Sequence, residues 1–178
     1  MTSPNLELFA LFPDAETART YLEGRLWPNG ARCPVCGLGE RVTARKGGFY
    51  RCNQCKEDFT VRTGTIFERS HVPLHKWVHT MYLLVTARKG ISSMQLAKEI
   101  GITQKSAWLV LHRLREACGD ELTKLQGIVE EADPMSAKPP KELDAIADKV
   151  MAYRPKPKSK PAERRKQKAA KIKRGRAK

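Results

Sequence analysis

The chain has 178 residues, with 34 Lys+Arg against 19 Asp+Glu and a formal net charge of +15, a balance that points to a polyanionic partner. No uninterrupted apolar run exceeds five residues, against the roughly 18 or more that a membrane span needs, and no Lys or Arg precedes the short apolar patch at the N-terminus. Neither a bilayer span nor a secretory signal is expected.

Residues 14–24 read as a short helix, with Asp14 as its cap, Ala18, Tyr21 and Leu22 at helical spacing and Gly24 as its stop. Trp27, Pro28 and Gly30 then turn the chain. From 32 to 65 the composition shifts to Cys, Gly and β-formers such as Val42, Phe49, Tyr50, Phe59 and Val61, with Lys46-Gly47-Gly48 as a hairpin tip. Three short antiparallel strands are expected.

Leu74, Trp77, Val78, Met81 and Val85 recur at i, i+3, i+4, i+7 and i+11 behind Pro73, so a helix of about 13 residues follows. Ser92 with Gln95 three residues on has the pattern of a capping box. It opens a second helix through Leu96 and Ile100, which Gly101 closes. Thr103 caps a third helix, whose buried stripe is Ala107, Val110, Leu111 and Leu114, ending at Gly119. Beyond Gly127 the pattern fades among prolines, and only 141–152 has the makings of a helix. The last 25 residues hold 13 Lys+Arg and one acid, Glu163, so +12 of the charge lies there and +3 on the first 153 residues. This tail is expected to be disordered when free. Its cations include Arg164, Arg165, Lys166, Lys168, Lys171, Lys173, Arg174 and Arg176.

The strongest motif is Cys33-x2-Cys36-x15-Cys52-x2-Cys55. Each C-x2-C turn aims two thiols at one point, and an intervening hairpin brings two such turns together. Four thiolates leave no open coordination position, so the expectation is one structural Zn2+ held by Cys33, Cys36, Cys52 and Cys55. The metal is needed for folding, because a β segment of about 35 residues buries too little apolar surface, whereas structural zinc contributes on the order of 10 to 16 kcal/mol in finger peptides. Two redox motifs or two disulfides are the alternative. Cys118 reads as a small core residue. His71, His75 and His79 lie at four-residue spacing, but with no carboxylate in the row they read as a basic helix face and not as metal ligands.

The tight turn Ile100-Gly101-Ile102-Thr103 between the last two helices is that of a helix-turn-helix, whose second helix lies in the major groove with its N-terminal side chains at base edges. Gln104, Lys105 and Ser106 occupy that place, with chemistry suited to adenine, to guanine or phosphate, and to either. His112, Arg113 and Arg115 are expected on phosphates. Trp108 lies between the faces, either as core or as a DNA contact, with partly buried core the favoured reading. The alternative is a three-helix packing unit with no ligand.

The ordered series Trp27-Pro28-Asn29-Gly30, Cys33-Pro34-Val35-Cys36-Gly37, Tyr50-Arg51-Cys52, Gly64-Thr65-Ile66-Phe67, Leu96-Ala97-Lys98-Glu99-Ile100-Gly101, Lys105-Ser106-Ala107-Trp108 and His112-Arg113-Leu114-Arg115 resembles the zinc-ribbon insertion-sequence transposases with a DDE, RNase H-like catalytic domain. The resemblance covers roughly residues 8 to 131 and implies a ribbon and helix-turn-helix that engage an element's terminal repeats. It also implies a catalytic half beginning with a Leu-x-Gly-x-Val-Glu-Val-Asp-Glu-like strand. Leu125-Gln126-Gly127-Ile128-Val129-Glu130 fits that start, but Ala132 stands where the metal-binding Asp belongs. Asp133 is displaced by one residue, which reverses its facing on a strand. Two-metal cleavage needs several carboxylates, and the later acids Glu142, Asp144, Asp148 and Glu163 sit in Pro- and Lys-rich chain.

The expectation is therefore a small α+β protein: an N-terminal helical segment (1–30), a zinc ribbon (31–68), a helix-turn-helix domain (69–120), a remnant of the catalytic start with a linker (121–153), and a disordered basic tail (154–178). Its expected function is sequence-specific binding of double-stranded DNA without catalysis, in a cytoplasmic, nucleoid-associated setting, with a homodimer or a transposase partner chain compatible with it. The alternatives are the DNA-binding subunit of a transposase whose catalytic half is a separate chain, and an RNA- or ribosome-associated zinc-ribbon protein.

Overall fold

The computed structural model describes residues 4–87, 90–119, 139–156 and 160–176. The elements in chain order are helices α1 (Pro4–Leu11) and α2 (Ala15–Leu26), strands β1 (Val42–Arg45), β2 (Phe49–Cys52) and β3 (Glu57–Phe59), and helices α3 (Leu74–Thr86), α4 (Ser93–Ile100), α5 (Gln104–Cys118), α6 (Lys141–Ala152) and α7 (Lys160–Arg176). The strands form one antiparallel sheet in the order β1-β2-β3, with Val42 opposite Cys52 and Tyr50 opposite Phe59.

Local chemistry accounts for most element ends. Asp14 accepts from Thr17 N at 2.8 Å and opens α2. Gly24 does not stop that helix, which runs on to Leu26: Leu26 packs against the core and Arg25 pairs with Asp144 and Asp148 of α6. Ser92 caps α4 through Gln95 N at 3.1 Å. Among the described residues the Gln95 side chain does not complete the expected capping box; its amide nitrogen donates to Glu99 at 3.1 Å. Gly101 closes α4 at φ 62°, in the left-handed region that glycine adopts without a Cβ penalty, and Thr103 caps α5 through Ser106 N. At the hairpin tip Gly48 has φ 73°, and a Cβ there would meet the Arg19 side chain at 2.4 Å, so α2 lies directly against the turn.

Two apolar clusters result. The larger one joins α1 to α6: Leu8, Phe12, Ala18 and Leu22 pack with Trp77, Met81, Leu96, Val110 and Leu114, and with Leu143, Ile146, Ala147 and Val150. Cys118 is buried in it, as expected. The smaller cluster is the sheet's own, built on Val35, Phe59 and the cysteines. Trp27 touches both, meeting Tyr50 and Phe59 edge-on at 5.2 and 5.8 Å.

The structure departs from the sequence expectation at both ends of the chain. The N-terminal helices are part of the α3–α5 body and not a separate segment, since His79 of α3 bonds the Phe12 carbonyl at 3.0 Å. Residues 141–152 fall within what reads as a linker, yet α6 packs against α2, α3 and α5, with Tyr21 donating to Asp144 at 2.7 Å. The tail expected to be disordered contains α7, which lies on the ribbon. Ala169 and Ile172 touch the cysteine cluster's apolar shell, Arg165 pairs with Glu68, and Lys168 reaches Glu57 and the Cys55 carbonyl, both at 2.7 Å.

Candidate metal centre and nucleic-acid interface

The sheet places the four cysteines in two turns, one preceding β1 and one between β2 and β3. Their sulfurs all lie within 4.8 Å of one another, with Cys33 to Cys55 at 3.9 Å and Cys36 to Cys52 at 3.6 Å. A tetrahedral zinc with bonds of about 2.3 Å has sulfurs roughly 3.8 Å apart, whereas a disulfide needs about 2.05 Å. The cage thus has the dimensions of a metal site, and all four thiols are free.

Backbone N–H groups favour the anionic form of two sulfurs: Val35 N donates to Cys33 Sγ at 3.4 Å and Cys55 N to Cys52 Sγ at 3.5 Å. Burial pushes the Cys33 and Cys55 thiols up. Burial acts the same way on Cys52, but the Cys55 N–H and the neighbouring Cys36 thiol outweigh it and hold that thiol down to about 7. Among the described residues no other group of three or more His, Cys, Asp or Glu side chains could hold a metal ion. The donor set is all sulfur and closed, so it fits structural zinc.

The histidine row is not the expected basic face. His71 is exposed, but His79 is buried against α1, its ring tilted 32° to that of Phe9 at 4.2 Å and donating through Nε2 to the Phe12 carbonyl. Burial holds its imidazole down to about 4. Of the row it is His79 that packs α3 onto α1, because the first helix lies over it, a contact that spacing within α3 cannot reveal.

The helix α5 has one buried and one open side. Ala107, Val110, Leu111, Leu114 and Cys118 point into the core, while Gln104, Lys105, His112 and Arg115 are exposed and Ser106 is half-exposed with its hydroxyl bonded to Thr103. Trp108 is 59% exposed and not partly buried core. Its ring lies 5.3 Å from that of His112 at an interplanar angle of 7°, so the two form a stacked pair on the open side. Charge patterning alone does not choose between core and contact for this indole. The signal that finds it is position: at i+4 from Gln104 it shares the face of the exposed polar residues.

Arg113 does not join them. Its guanidinium donates to the carbonyls of Ile66 and Glu68 at 2.7 and 2.9 Å, bracing α5 against the chain that leaves the ribbon. Arg115 keeps its exposed position while one nitrogen reaches the Ile91 carbonyl at 3.3 Å. On α7, Arg165 and Lys168 are engaged with the ribbon, whereas Arg164, Lys166, Lys171 and Arg174 are exposed. Lys173 and Arg176 lie on the same helix. The segment Leu125–Asp133, where the sequence departs from a catalytic strand, lies outside the described residues. Among the described residues no helix is long and apolar enough to cross a membrane.

Residues 13–58 match the family model of the transposase zinc-ribbon domain. That match begins just before α2 and includes it, upstream of the ribbon boundary expected from composition, in keeping with the contacts of α2 on the hairpin: Tyr50 donates to Glu23 at 3.0 Å, and Arg19 lies over Gly48. A relative described as an uncharacterized protein in transposable element ISH50, from Halobacterium salinarum, is 33% identical over an alignment of 109 residues that covers 58% of this chain and 36% of the relative. The match therefore spans about a third of that relative's length. No solved structure matches the chain. The chain is thus similar, over residues 13–58, to the transposase zinc-ribbon domain and, over 58% of its length, to a protein of a transposable element.

Proposed function

We propose that the chain binds double-stranded DNA sequence-specifically through the open side of α5, with α4, the Gly101 turn and α5 acting as a helix-turn-helix and one structural zinc holding the ribbon beside it. The observation that carries this reading is the single outward face made by Gln104, Lys105, Trp108, His112 and Arg115 on a helix whose opposite side is buried. Gln104 and Lys105 stand at the capped N-terminus, where such a helix meets base edges. His112 and Arg115 follow along the same face within reach of phosphates, and Trp108 offers an apolar surface for a thymine methyl. Arg113 supports this from behind and makes no phosphate contact.

In this proposal the 178 residues recognise DNA and do not cut it. Ala132 replaces the expected metal-binding Asp, and a nicking assay with Mg2+ or Mn2+ tests the point: activity abolished by changing Glu130 or Asp133 overturns it. A second reading, DNA recognition in the service of a catalytic half elsewhere, is favoured by the limited span of the match to the transposable-element relative. Strand transfer that appears only on adding a second chain would select it. The main test is selection of bound genomic fragments by wild type and by Gln104→Ala with Lys105→Ala. An enriched motif lost in the double variant, at about 1 to 3 kcal/mol per lost base contact, supports the reading. Tighter binding to structured RNA than to duplex DNA at matched salt refutes it.

A further inference from the structure

A cleft of about 510 Å3 opens between the chain leaving the ribbon, the C-terminal half of α5, residues 153–156 beyond α6, and α7. That volume falls within the about 300–1,000 Å3 of small-ligand sites. Its charges divide into two sets. Arg113, Arg154 and Arg165 line it but are spent on the Ile66 and Glu68 carbonyls, on the Met151 and Tyr153 carbonyls, and on the Glu68 carboxylate. The two acids are engaged as well: Glu68 also accepts from Gly64 N at 3.0 Å, and Glu116 accepts from the Tyr153 hydroxyl at 3.1 Å. Arg69, Lys156 and Lys166 line the same cleft, are exposed, and have no ion pair among the described residues. Between the cations the walls are apolar, with Pro34, Ile66 and Pro155.

Three unneutralised cations around an apolar-walled cleft suit an anion attached to a ring, and the place of the cleft says which anion. Glu116 on its wall is four residues, about one helical turn, beyond His112 on the open face of α5. The cleft therefore begins where the proposed DNA face ends. We propose that it holds a phosphodiester segment of the DNA backbone flanking the site read by α5, with Arg69, Lys156 and Lys166 on the phosphates and the Pro34 and Pro155 rings against deoxyribose. This rests on the DNA-binding reading and extends it by giving the ribbon and the α6–α7 segment a shared contact with the flanking duplex.

The test compares wild type with Arg69→Asn, Lys156→Gln and Lys166→Gln, singly and together, by fluorescence anisotropy over a salt series. Asparagine is chosen for Arg69 because this residue has φ 57°, a conformation that Asn tolerates. Two duplexes are used, one covering only the selected motif and one extended by a helical turn on either side. On the extended duplex the triple variant should lose about tenfold or more in affinity, and the slope of log K against log salt should fall by about 0.9 per lost contact. On the short duplex, and in sequence preference, it should equal wild type. Equal affinity of variant and wild type for the extended duplex overturns the cleft while leaving the α5 reading intact, and so does an equal loss on both duplexes. A wild type that binds neither duplex overturns both. A thymidine dinucleotide is titrated in parallel: if it binds wild type and not the triple variant while the duplex affinities coincide, the cleft takes a free nucleotide and the backbone assignment fails.

Discussion

Single side chains in this protein do work that their type does not announce. His79 looks like a surface cation in a row of histidines, yet its neutral ring is a buried donor to the Phe12 carbonyl beside Phe9. Burial lowers its affinity for a proton first, and the neighbouring His75, itself pushed down by burial, acts in the same direction. The unfolded chain, with an ordinary histidine near 6.5, therefore binds more protons than the folded one between about pH 6.5 and pH 4. Stability should be fully present above that window and fall as pH drops through it. Urea midpoints across pH 4–7 check this, and His79→Gln, which keeps a donor without the titration, should flatten the profile; an unchanged profile counts against the assignment. The cysteines are the opposite case, where type and spacing say nearly everything. Cys52→Ser with Cys55→Ser should abolish zinc retention in native mass spectrometry and strip amide protection from residues 33–59. The helical body should stay folded, because its apolar cluster is distinct from that of the ribbon. Full zinc retention would sink the metal site.

Among the elements, α7 differs most from its sequence expectation. A 17-residue helix this rich in like charge is marginal by itself, and its net charge alone reads as a solvated tail. The pattern within it is more specific: Arg165, Lys168, Ala169 and Ile172 recur at i, i+3, i+4 and i+7, and all four face the ribbon. The ribbon contributes Glu57 and Glu68, and the Lys168 cation holds the Glu57 carboxyl below its usual range. Exposed ion pairs contribute only about 0–1 kcal/mol each, so docking depends on the pairs and the apolar contact together. Glu57→Lys should lower hydrogen-exchange protection across α7 about fivefold, and Lys168→Glu in the same chain should restore most of it. Unchanged protection in Glu57→Lys would show that the apolar contact suffices. The positions of α4 and α5 follow from their caps, by contrast, and their ends agree with the sequence to within a residue.

At the scale of the whole molecule, the helical body is closed by a segment more than a hundred residues from α2, one of the three helices it packs against. Leu143, Ile146, Ala147 and Val150 of α6 are fully buried, and Tyr21 and Arg25 of α2 reach across to Asp144 and Asp148. Ile146→Ala should cost about 2–5 kcal/mol in urea unfolding, the range for an emptied aliphatic core site. A loss under 1 kcal/mol would mean that α6 is an appendage after all.

The features settled by sequence alone are those whose cause lies within a few residues: the cysteine turns, the Asp14, Ser92 and Thr103 caps, the left-handed Gly101, and the apolar stripes of α3 and α5. Each is a local geometric requirement that only certain residue types meet. Tertiary structure decided what those elements meet. It engaged Arg113 with the Ile66 and Glu68 carbonyls, left Trp108 exposed, buried His79, made α6 part of the body and laid one face of α7 on the ribbon. Those outcomes depend on burial and charge pairing between segments distant in the chain, and no window of neighbouring residues contains them.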